Sequence, residues 1–99
     1  MSRGRNRYVI AYDIRDEKRL RAVAKTMVGF GWRMQYSVFI SDLDTMELFD
    51  LKTRLAETIN HGEDSVAFID VGPPKERGQQ SFDFMGVAPS LPTSGALII

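Results

Sequence analysis

Cysteine is absent from this 99-residue chain, and histidine occurs once, at position 61. Without cysteine, the chain can form no disulfide framework, thiolate zinc site or cysteine nucleophile. A multi-histidine metal site cannot be built within one chain, and a Ser-His-Asp triad would have to pass through His61. Metal chemistry, if the protein performs any, must therefore use oxygen ligands.

Long hydrophobic runs are also missing, since no apolar stretch approaches the roughly 20 residues that cross a bilayer. The basic segment at residues 1–7 leads to a short alternating segment and Asp13, with no small-residue cleavage site. We therefore expect a soluble, cytoplasmic protein without a membrane partner. The length allows one compact domain with one small core, and 43% hydrophobic and 26% charged residues are typical of such domains.

A net charge of zero hides an uneven distribution along the chain. Residues 1–35 carry a net charge of +6, whereas residues 36–70 carry −6. Such asymmetry is typical of proteins with a polyanionic partner or with complementary protein contacts. Two oppositely charged faces of a soluble protein would explain it equally well.

The order of the predicted elements indicates the fold class. Residues 8–14 are apolar on both faces until Asp13, as in a central strand covered on both sides. One helix is predicted from Asp16, which can cap its first turn, and a second from Asp44, which has capping-box spacing with Glu47. Two short strands are expected within residues 32–40, with a reversal near 35–37, and a last core strand at 65–71.

This β-α-β-β-α-β order predicts an α+β, ferredoxin-like core over residues 1–72. A polar linker at residues 73–80 and a C-terminal strand and tail at residues 81–99 are expected to follow. The strand predicted at 81–87 has no hairpin connection to the core, so we expect it to pair with another molecule. Because both helices would pack on one face of the sheet, we expect a homodimer to cover the other face.

Asp13 is the first candidate for chemistry because it interrupts an apolar strand at its carboxyl end. A buried carboxylate is costly unless it is paired or bound to a metal. Asp13 either caps the first helix, pairs with Arg15 or Arg19, or serves as an oxygen ligand for Mg²⁺. One aspartate per chain is too little for a site, so the magnesium hypothesis predicts two Asp13 residues meeting across a dimer axis.

Basic residues after Asp13 are candidates for nucleic-acid binding. Arg21 and Lys25 share one helix face at i, i+4 spacing and, with Arg19, could follow the phosphates of a nucleic acid. A solvated helix face explains these three residues equally well. Arg33 stands near Trp32 and Tyr36, a mixture of cation and aromatic residues found in single-strand binding surfaces, although Trp32 is expected to lie in the core.

Two further polar residues carry less weight. Ser37 has no evident base in the sequence to make it a nucleophile, so its hydroxyl is expected to orient a phosphate or a metal-bound water near Asp13. His61 follows the second predicted helix in a polar stretch, as a solvated turn residue would. We assign no chemistry to His61.

Several of these residues together resemble the CRISPR-associated protein 2 family. The resemblance rests on Tyr12-Asp13-Ile14 at the end of the first strand and on the later segment Gln35-Tyr36-Ser37-Val38-Phe39. It covers residues 8–72 and includes the basic helix start at 19–21 and the strand start at 64–66. Residues 82–86 also resemble the family's fifth strand, which crosses to extend the sheet of the partner subunit.

The resemblance implies a ferredoxin-like homodimer of the adaptation stage of CRISPR immunity, bridging two dimers of the integrase, CRISPR-associated protein 1, in spacer acquisition. It also implies a Mg²⁺-dependent endonuclease acting on RNA or DNA, an activity that not every member carries. Asp13 then matches the metal-binding aspartate, and Ser37 matches the serine before Val-Phe. Other positions match residues that the family associates with activity or its support: Tyr12, Arg19, Arg21, Arg33 and Phe39.

Two functions of different classes follow from these observations. An enzyme would lose cleavage in Asp13→Ala, whereas a scaffold that presents its basic helices to duplex DNA would keep spacer acquisition without Asp13. A toxin-type ribonuclease of the same fold is a third hypothesis.

Overall fold

The computed structural model describes residues 4–91, which form one antiparallel sheet and three helices. No helix within those residues is long and apolar enough to cross a membrane. The elements, in chain order, are β1 (Asn6–Asp13), α1 (Glu17–Val28), β2 (Trp32–Gln35), β3 (Val38–Leu43), α2 (Thr45–Thr58), β4 (Ser65–Asp70) and α3 (Arg77–Gln80).

Local capping signals in the sequence set the starts of the two long helices. The Asp16 carboxylate accepts the Arg19 backbone N–H at 2.9 Å and caps α1. At α2, the Asp44 carboxylate accepts the Glu47 N–H, and the Glu47 carboxylate accepts the Asp44 N–H. The reciprocal pair satisfies two donors that a helix start would otherwise leave unpaired, so both predicted caps are confirmed.

The sheet has the strand order β2-β3-β1-β4, with β1 between β3 and β4 in two antiparallel ladders. β2 and β3 form a hairpin that reverses at residues 36–37, where the sequence predicted a reversal. β2 and β4 are the edge strands of this sheet. With α1 and α2 in the connections, the ferredoxin-like α+β fold is confirmed.

The core lies between one face of the sheet and the two long helices. Side chains alternate between the faces of a strand, so Ile10 and Tyr12 point toward the helices. They join buried side chains from the neighbouring strands and from both helices. The remaining members of this cluster are Val23, Met27, Phe39, Leu43, Leu51 and Leu55.

The opposite face of the sheet is covered only in part. Arg7 is fully buried there and forms a bidentate ion pair with Asp42, with N–O distances of 2.7 and 2.8 Å. Gly78 of α3 packs on the Arg7 side chain. Trp32 and Ile69, in contrast, remain 46% and 49% exposed, so the expectation that Trp32 lies in the core is wrong for the single chain.

The C-terminal segment differs from the sequence prediction in local structure. The segment predicted as a polar linker contains α3, which is held by the Gly78 N–H donating to the Pro73 carbonyl. Residues 81–87 form no strand in the described chain and pair with neither edge strand of the sheet. Pairing of this segment with a second molecule stays a prediction, and residues 92–99 of the predicted tail lie outside the described residues.

Candidate active site and nucleic-acid interface

Asp13 ends β1 as an exposed residue on the sheet face opposite the helices. It pairs in register with Ser65 of β4, and its alternation with Tyr12 directs it away from the core. The expectation of a buried carboxylate is therefore wrong for the single chain. Asp16 takes the capping position of α1, the Arg19 guanidinium bonds to Asp64, and no ion pair joins Asp13 to Arg15 or Arg19 among the described residues.

Asp64 ties together the chain segments that surround the end of β1. Its buried carboxylate accepts backbone N–H groups from Arg15 and Asn60 at 2.9 and 2.8 Å. The Arg19 guanidinium donates to the same carboxylate through Nε at 2.8 Å and through Nη2 at 3.2 Å, and Nη2 also bonds to Glu63 at 3.0 Å. We call this cluster of Arg15, Arg19, Asn60, Glu63 and Asp64 the Asp64 clamp.

The Asp64 clamp shifts the titration of both charged partners. The hydrogen bond from Arg19 holds the pKa of Asp64 far below its usual range, and the backbone N–H groups act in the same direction. The same hydrogen bond raises the pKa of Arg19. Arg19, proposed from the sequence as a phosphate ligand, thus already has two carboxylate partners within the chain.

Arg21 and Lys25 remain exposed on α1, as their spacing predicted. The Arg21 guanidinium lies 3.8 Å from the Glu17 carboxylate, and both side chains are largely exposed, so solvent screens this pair strongly. These two residues therefore keep cationic groups available for an external anion.

Arg33 is fixed by an aromatic stack that reaches the core. Its guanidinium lies 5.0 Å from the centroid of the Phe39 ring and donates to the Tyr36 carbonyl at 2.6 Å. Phe39 in turn stacks on Tyr12, with ring centroids 6.2 Å apart. The family-matched residues Tyr12, Arg33 and Phe39 are therefore brought together in one row.

Ser37 lies beside the end of β1, where its carbonyl accepts the Tyr12 backbone N–H at 3.1 Å. This contact brings Ser37 next to Tyr12, one residue from Asp13 along the chain. Ser37 itself is half-buried in the hairpin turn. His61 is exposed, and its Nε2 lies 2.8 Å from the Ala56 carbonyl at the end of α2, consistent with a turn residue.

The candidate residues fall on two sides of the sheet. Tyr12 and Phe39 belong to the core on the helix face, where Arg33 stacks on Phe39, whereas Asp13 belongs to the opposite face. Within residues 4–91, no group of three or more acidic or histidine side chains could hold a metal ion. The Asp13 carboxylate of a single chain is exposed and can supply oxygen ligands to a metal ion. The described residues of one chain, however, form no complete metal site.

Sequence reasoning missed the role of Asp64. It entered the analysis only as part of the family-like segment at 64–66, and the signal that could have revealed it is its position directly before a strand. A carboxylate there, four residues after Asn60, can accept N–H groups from the turn it closes. Its pairing with Arg19, 45 residues away, depends on the tertiary fold.

The fold and the strand-end aspartate place the chain in the class of small ferredoxin-like α+β proteins. Residues 6–77 match the family model described as CRISPR associated protein Cas2. The chain belongs to the Cas2 family.

Named relatives show the same affiliation along most of the chain. A "CRISPR-associated endoribonuclease Cas2" of Geobacter sulfurreducens is 42% identical over 66 residues, which are 67% of this chain and 70% of that protein. A second protein of that name, "CRISPR-associated endoribonuclease Cas2 3" of Synechocystis, is 35% identical over 92 residues, covering 93% of this chain and 97% of that protein.

Solved structures share the overall fold. The crystal structure of Streptococcus pyogenes Cas2 matches with a TM-score of 0.71 and 34% identity, covering 81% of this chain and 99% of that one. A hypothetical protein from Thermus thermophilus matches with a TM-score of 0.77 and 31% identity, covering 88% of this chain and 98% of that one.

Proposed function

We propose that this chain is a nuclease that works as a homodimer, in which the Asp13 residues of two subunits share one Mg²⁺ site. The observation that supports it is the position of Asp13, exposed on the same sheet face as the half-exposed Trp32 and Ile69. A second copy that covers these apolar side chains would bring a second Asp13 to the interface. The metal site and the dimer interface would then form together.

Asp13 suits magnesium by the chemistry of its donor atoms. Mg²⁺ takes oxygen ligands, often one or two carboxylates, and fills its remaining positions with water and substrate phosphates. When bound, magnesium activates a water molecule and stabilises charge that develops on the scissile phosphate. Asp13 would hold the metal, whereas Arg21 and Lys25, exposed on α1 on the other side of the sheet, would bind phosphates farther along the nucleic acid.

RNA is the proposed substrate. Relatives that are 35% to 47% identical bear the name CRISPR-associated endoribonuclease Cas2. The exposed arginine and lysine on α1 recognise phosphate, which RNA and DNA share, so the choice between the two polymers is a matter for direct comparison.

We also propose that the homodimer serves in spacer acquisition as the bridge between two integrase dimers, the role implied by its family. The division of charge supports this proposal: the segment at 1–35 suits a nucleic-acid partner, and the acidic segment at 36–70 suits a basic protein surface. This role needs the fold, the dimer and the basic face, but it does not need cleavage at Asp13. Spacer acquisition by Asp13→Ala is therefore expected to persist.

The nuclease proposal is tested by cleavage of labelled RNA, single-stranded DNA and duplex DNA with Mg²⁺ or with EDTA. We expect the unaltered protein to cut in Mg²⁺ alone and Asp13→Ala to fall to the level seen with EDTA. Glu57→Ala, which removes an exposed acidic side chain from α2, is the matched control and should cut normally. Equal cutting by Asp13→Ala, or no cutting by any preparation, would overturn the nuclease proposal.

A further inference from the structure

A groove runs between α1 and the β2–β3 hairpin, on the helix side of the sheet and so on the other side from Asp13. Its lining includes Tyr12, Leu20, Arg21, Arg33 and Tyr36. Two of these are arginines, one is an exposed aromatic residue, and the floor is formed by Tyr12 and the aliphatic Leu20. The groove thus combines cations with an aromatic surface, the pairing that single-stranded nucleic acids require.

The Tyr12 hydroxyl at the floor of this groove has no hydrogen-bond partner among the described residues. Tyr12 is only 5% exposed, and its hydroxyl is inaccessible to water. A buried hydroxyl without a partner is costly, and most buried polar side chains in folded proteins have one. Burial raises the pKa of the Tyr12 hydroxyl. The charge of nearby Arg33 acts to lower this pKa, and Tyr36 acts to raise it.

The groove carries its cationic and aromatic groups at its rim. Arg33 is held in place by the Phe39 ring and the Tyr36 carbonyl, so its guanidinium is oriented before any ligand arrives. Arg21 is exposed, and its partner Glu17 lies 3.8 Å away. Tyr36 is 74% exposed, so its ring is available for a base to stack on it.

We propose that this groove binds one unstacked nucleotide of a single-stranded nucleic acid. In this arrangement the base stacks on Tyr36, the phosphate lies between Arg21 and Arg33, and the nucleotide supplies the hydrogen-bond partner of the Tyr12 hydroxyl. Because that hydroxyl is inaccessible in the free chain, binding requires a local movement of the groove lining that exposes it. The proposal rests on the proposed function in one respect, that the ligand is a nucleic acid, and it needs neither Asp13 nor magnesium.

A nucleotide within a duplex cannot bind in this groove in the same way. Its bases are already stacked and paired, and unstacking one of them costs a few kcal/mol. We therefore expect a preference for single strands that persists in EDTA. Glu17 opposes the phosphate at Arg21, so its neutralisation should strengthen binding.

The test measures binding in EDTA, where cleavage cannot interfere, by the fluorescence anisotropy of labelled oligonucleotides of about ten nucleotides. Single-stranded RNA, single-stranded DNA and duplex DNA form its three arms. We expect Tyr12→Phe to weaken single-strand binding by about fivefold, the effect of one neutral hydrogen bond. Tyr36→Ala should weaken it by about tenfold or more through lost stacking, and Glu17→Gln should strengthen it.

Ser41→Ala is the matched control for Tyr12→Phe. It also removes one buried hydroxyl that lacks a partner in the described chain, but Ser41 does not line the groove. Both variants should keep the thermal stability of the unaltered protein, and only Tyr12→Phe should weaken binding. Tyr12→Phe and Tyr36→Ala proteins that fold normally and bind single strands with unchanged affinity would overturn the groove proposal.

The outcomes separate this proposal from the nuclease proposal. If Asp13→Ala abolishes cleavage while the groove variants bind normally, the groove proposal fails and the nuclease proposal stands. If the groove variants bind weakly while Asp13→Ala still cleaves, the groove proposal stands and the nuclease proposal fails. A Tyr36→Ala protein that loses duplex and single-strand affinity equally would also overturn the groove proposal, because a nucleotide within a duplex cannot stack on Tyr36.

Discussion

The Asp64 carboxylate shows how one side chain can organise the surroundings of a candidate active site. It accepts four hydrogen bonds, from the backbone of Arg15 and Asn60 and from two nitrogen atoms of Arg19. These bonds hold the β1–α1 connection, which begins immediately after Asp13, against the start of β4. Arg19 therefore stabilises the fold, and its guanidinium is already bonded to carboxylates when a phosphate approaches.

Asp64→Ala is expected to lower the Tm by about 5 °C or more, because it leaves the partners of a buried carboxylate without an acceptor. The matched control is Asp50→Ala, which removes an exposed ion pair with Arg54 at 3.1 Å on α2 and should leave the Tm nearly unchanged. Thermal unfolding followed by circular dichroism at pH 7 measures both. Equal Tm values for the two variants would contradict a structural role for the Asp64 clamp.

The same carboxylate predicts how stability depends on pH. The pKa of Asp64 is lowered in the folded chain, chiefly by Arg19, so its contribution is present above its unfolded pKa and is lost as pH falls toward its folded pKa. The Tm should therefore fall between about pH 5 and pH 2. Asp64→Asn should flatten this fall, leaving the part due to Glu47, whose pKa is lowered by Arg5. An unchanged slope in Asp64→Asn would contradict the assignment.

The position of a candidate site residue in the fold could be predicted where its residue type alone marks it in the sequence. Asp13 stands at the end of the first strand, as its place in an apolar run predicted, but its exposure did not follow from the sequence because it depends on what covers the sheet. Phe39 and Arg33 were matched separately, and their stacking with Tyr12 required the register of β1 with β3. Tyr36 was predicted only as an aromatic neighbour of Arg33, because its exposure is a tertiary property.

Elements were predicted best where local chemistry sets their ends. The caps at Asp16 and Asp44 satisfy donors within three residues, so the starts of α1 and α2 follow from the sequence alone. The segment at 81–87 has the composition of a strand, but a strand also needs a neighbouring edge to bond with. That requirement is not local, and the described chain does not meet it.

The connection from α1 to β2 depends on the absence of a side chain at Gly31. A Cβ at this position would collide with the Ile40 carbonyl oxygen and the Ser41 hydroxyl, whereas a Cβ at Gly29 would lie 3.4 Å from the Thr26 carbonyl oxygen, an ordinary contact. Gly31→Ala should therefore destabilise the protein by about 2 kcal/mol or more. Gly29→Ala is the matched control and should cost little.

Urea unfolding of the two glycine variants measures this difference. Because both substitutions add the same methyl group near the same end of α1, helix propensity affects them similarly. A Gly31→Ala protein as stable as Gly29→Ala would show that β2 does not pack against β3 as closely as described.

At the scale of the whole molecule, the open sheet face is the feature that calls for a second chain. Trp32 and Ile69 are half-exposed on this face. Ile69→Glu should convert the proposed dimer to a monomer in sedimentation at micromolar concentration, because a charge cannot be buried there without a partner. Val28→Glu, at a residue of α1 that is 64% exposed, is the control and should remain dimeric. A dimeric Ile69→Glu protein would place the interface elsewhere.

The proposed metal site is shared by the Asp13 residues of two subunits, and a mixed dimer tests this sharing. Dimers with one unaltered subunit and one Asp13→Ala subunit, isolated through a different affinity tag on each subunit, would be compared with unaltered dimers for RNA cleavage in Mg²⁺. A shared site predicts that the mixed dimer loses cleavage to the level seen with EDTA. Half of the unaltered rate would contradict the claim, because each subunit would then carry a complete site of its own.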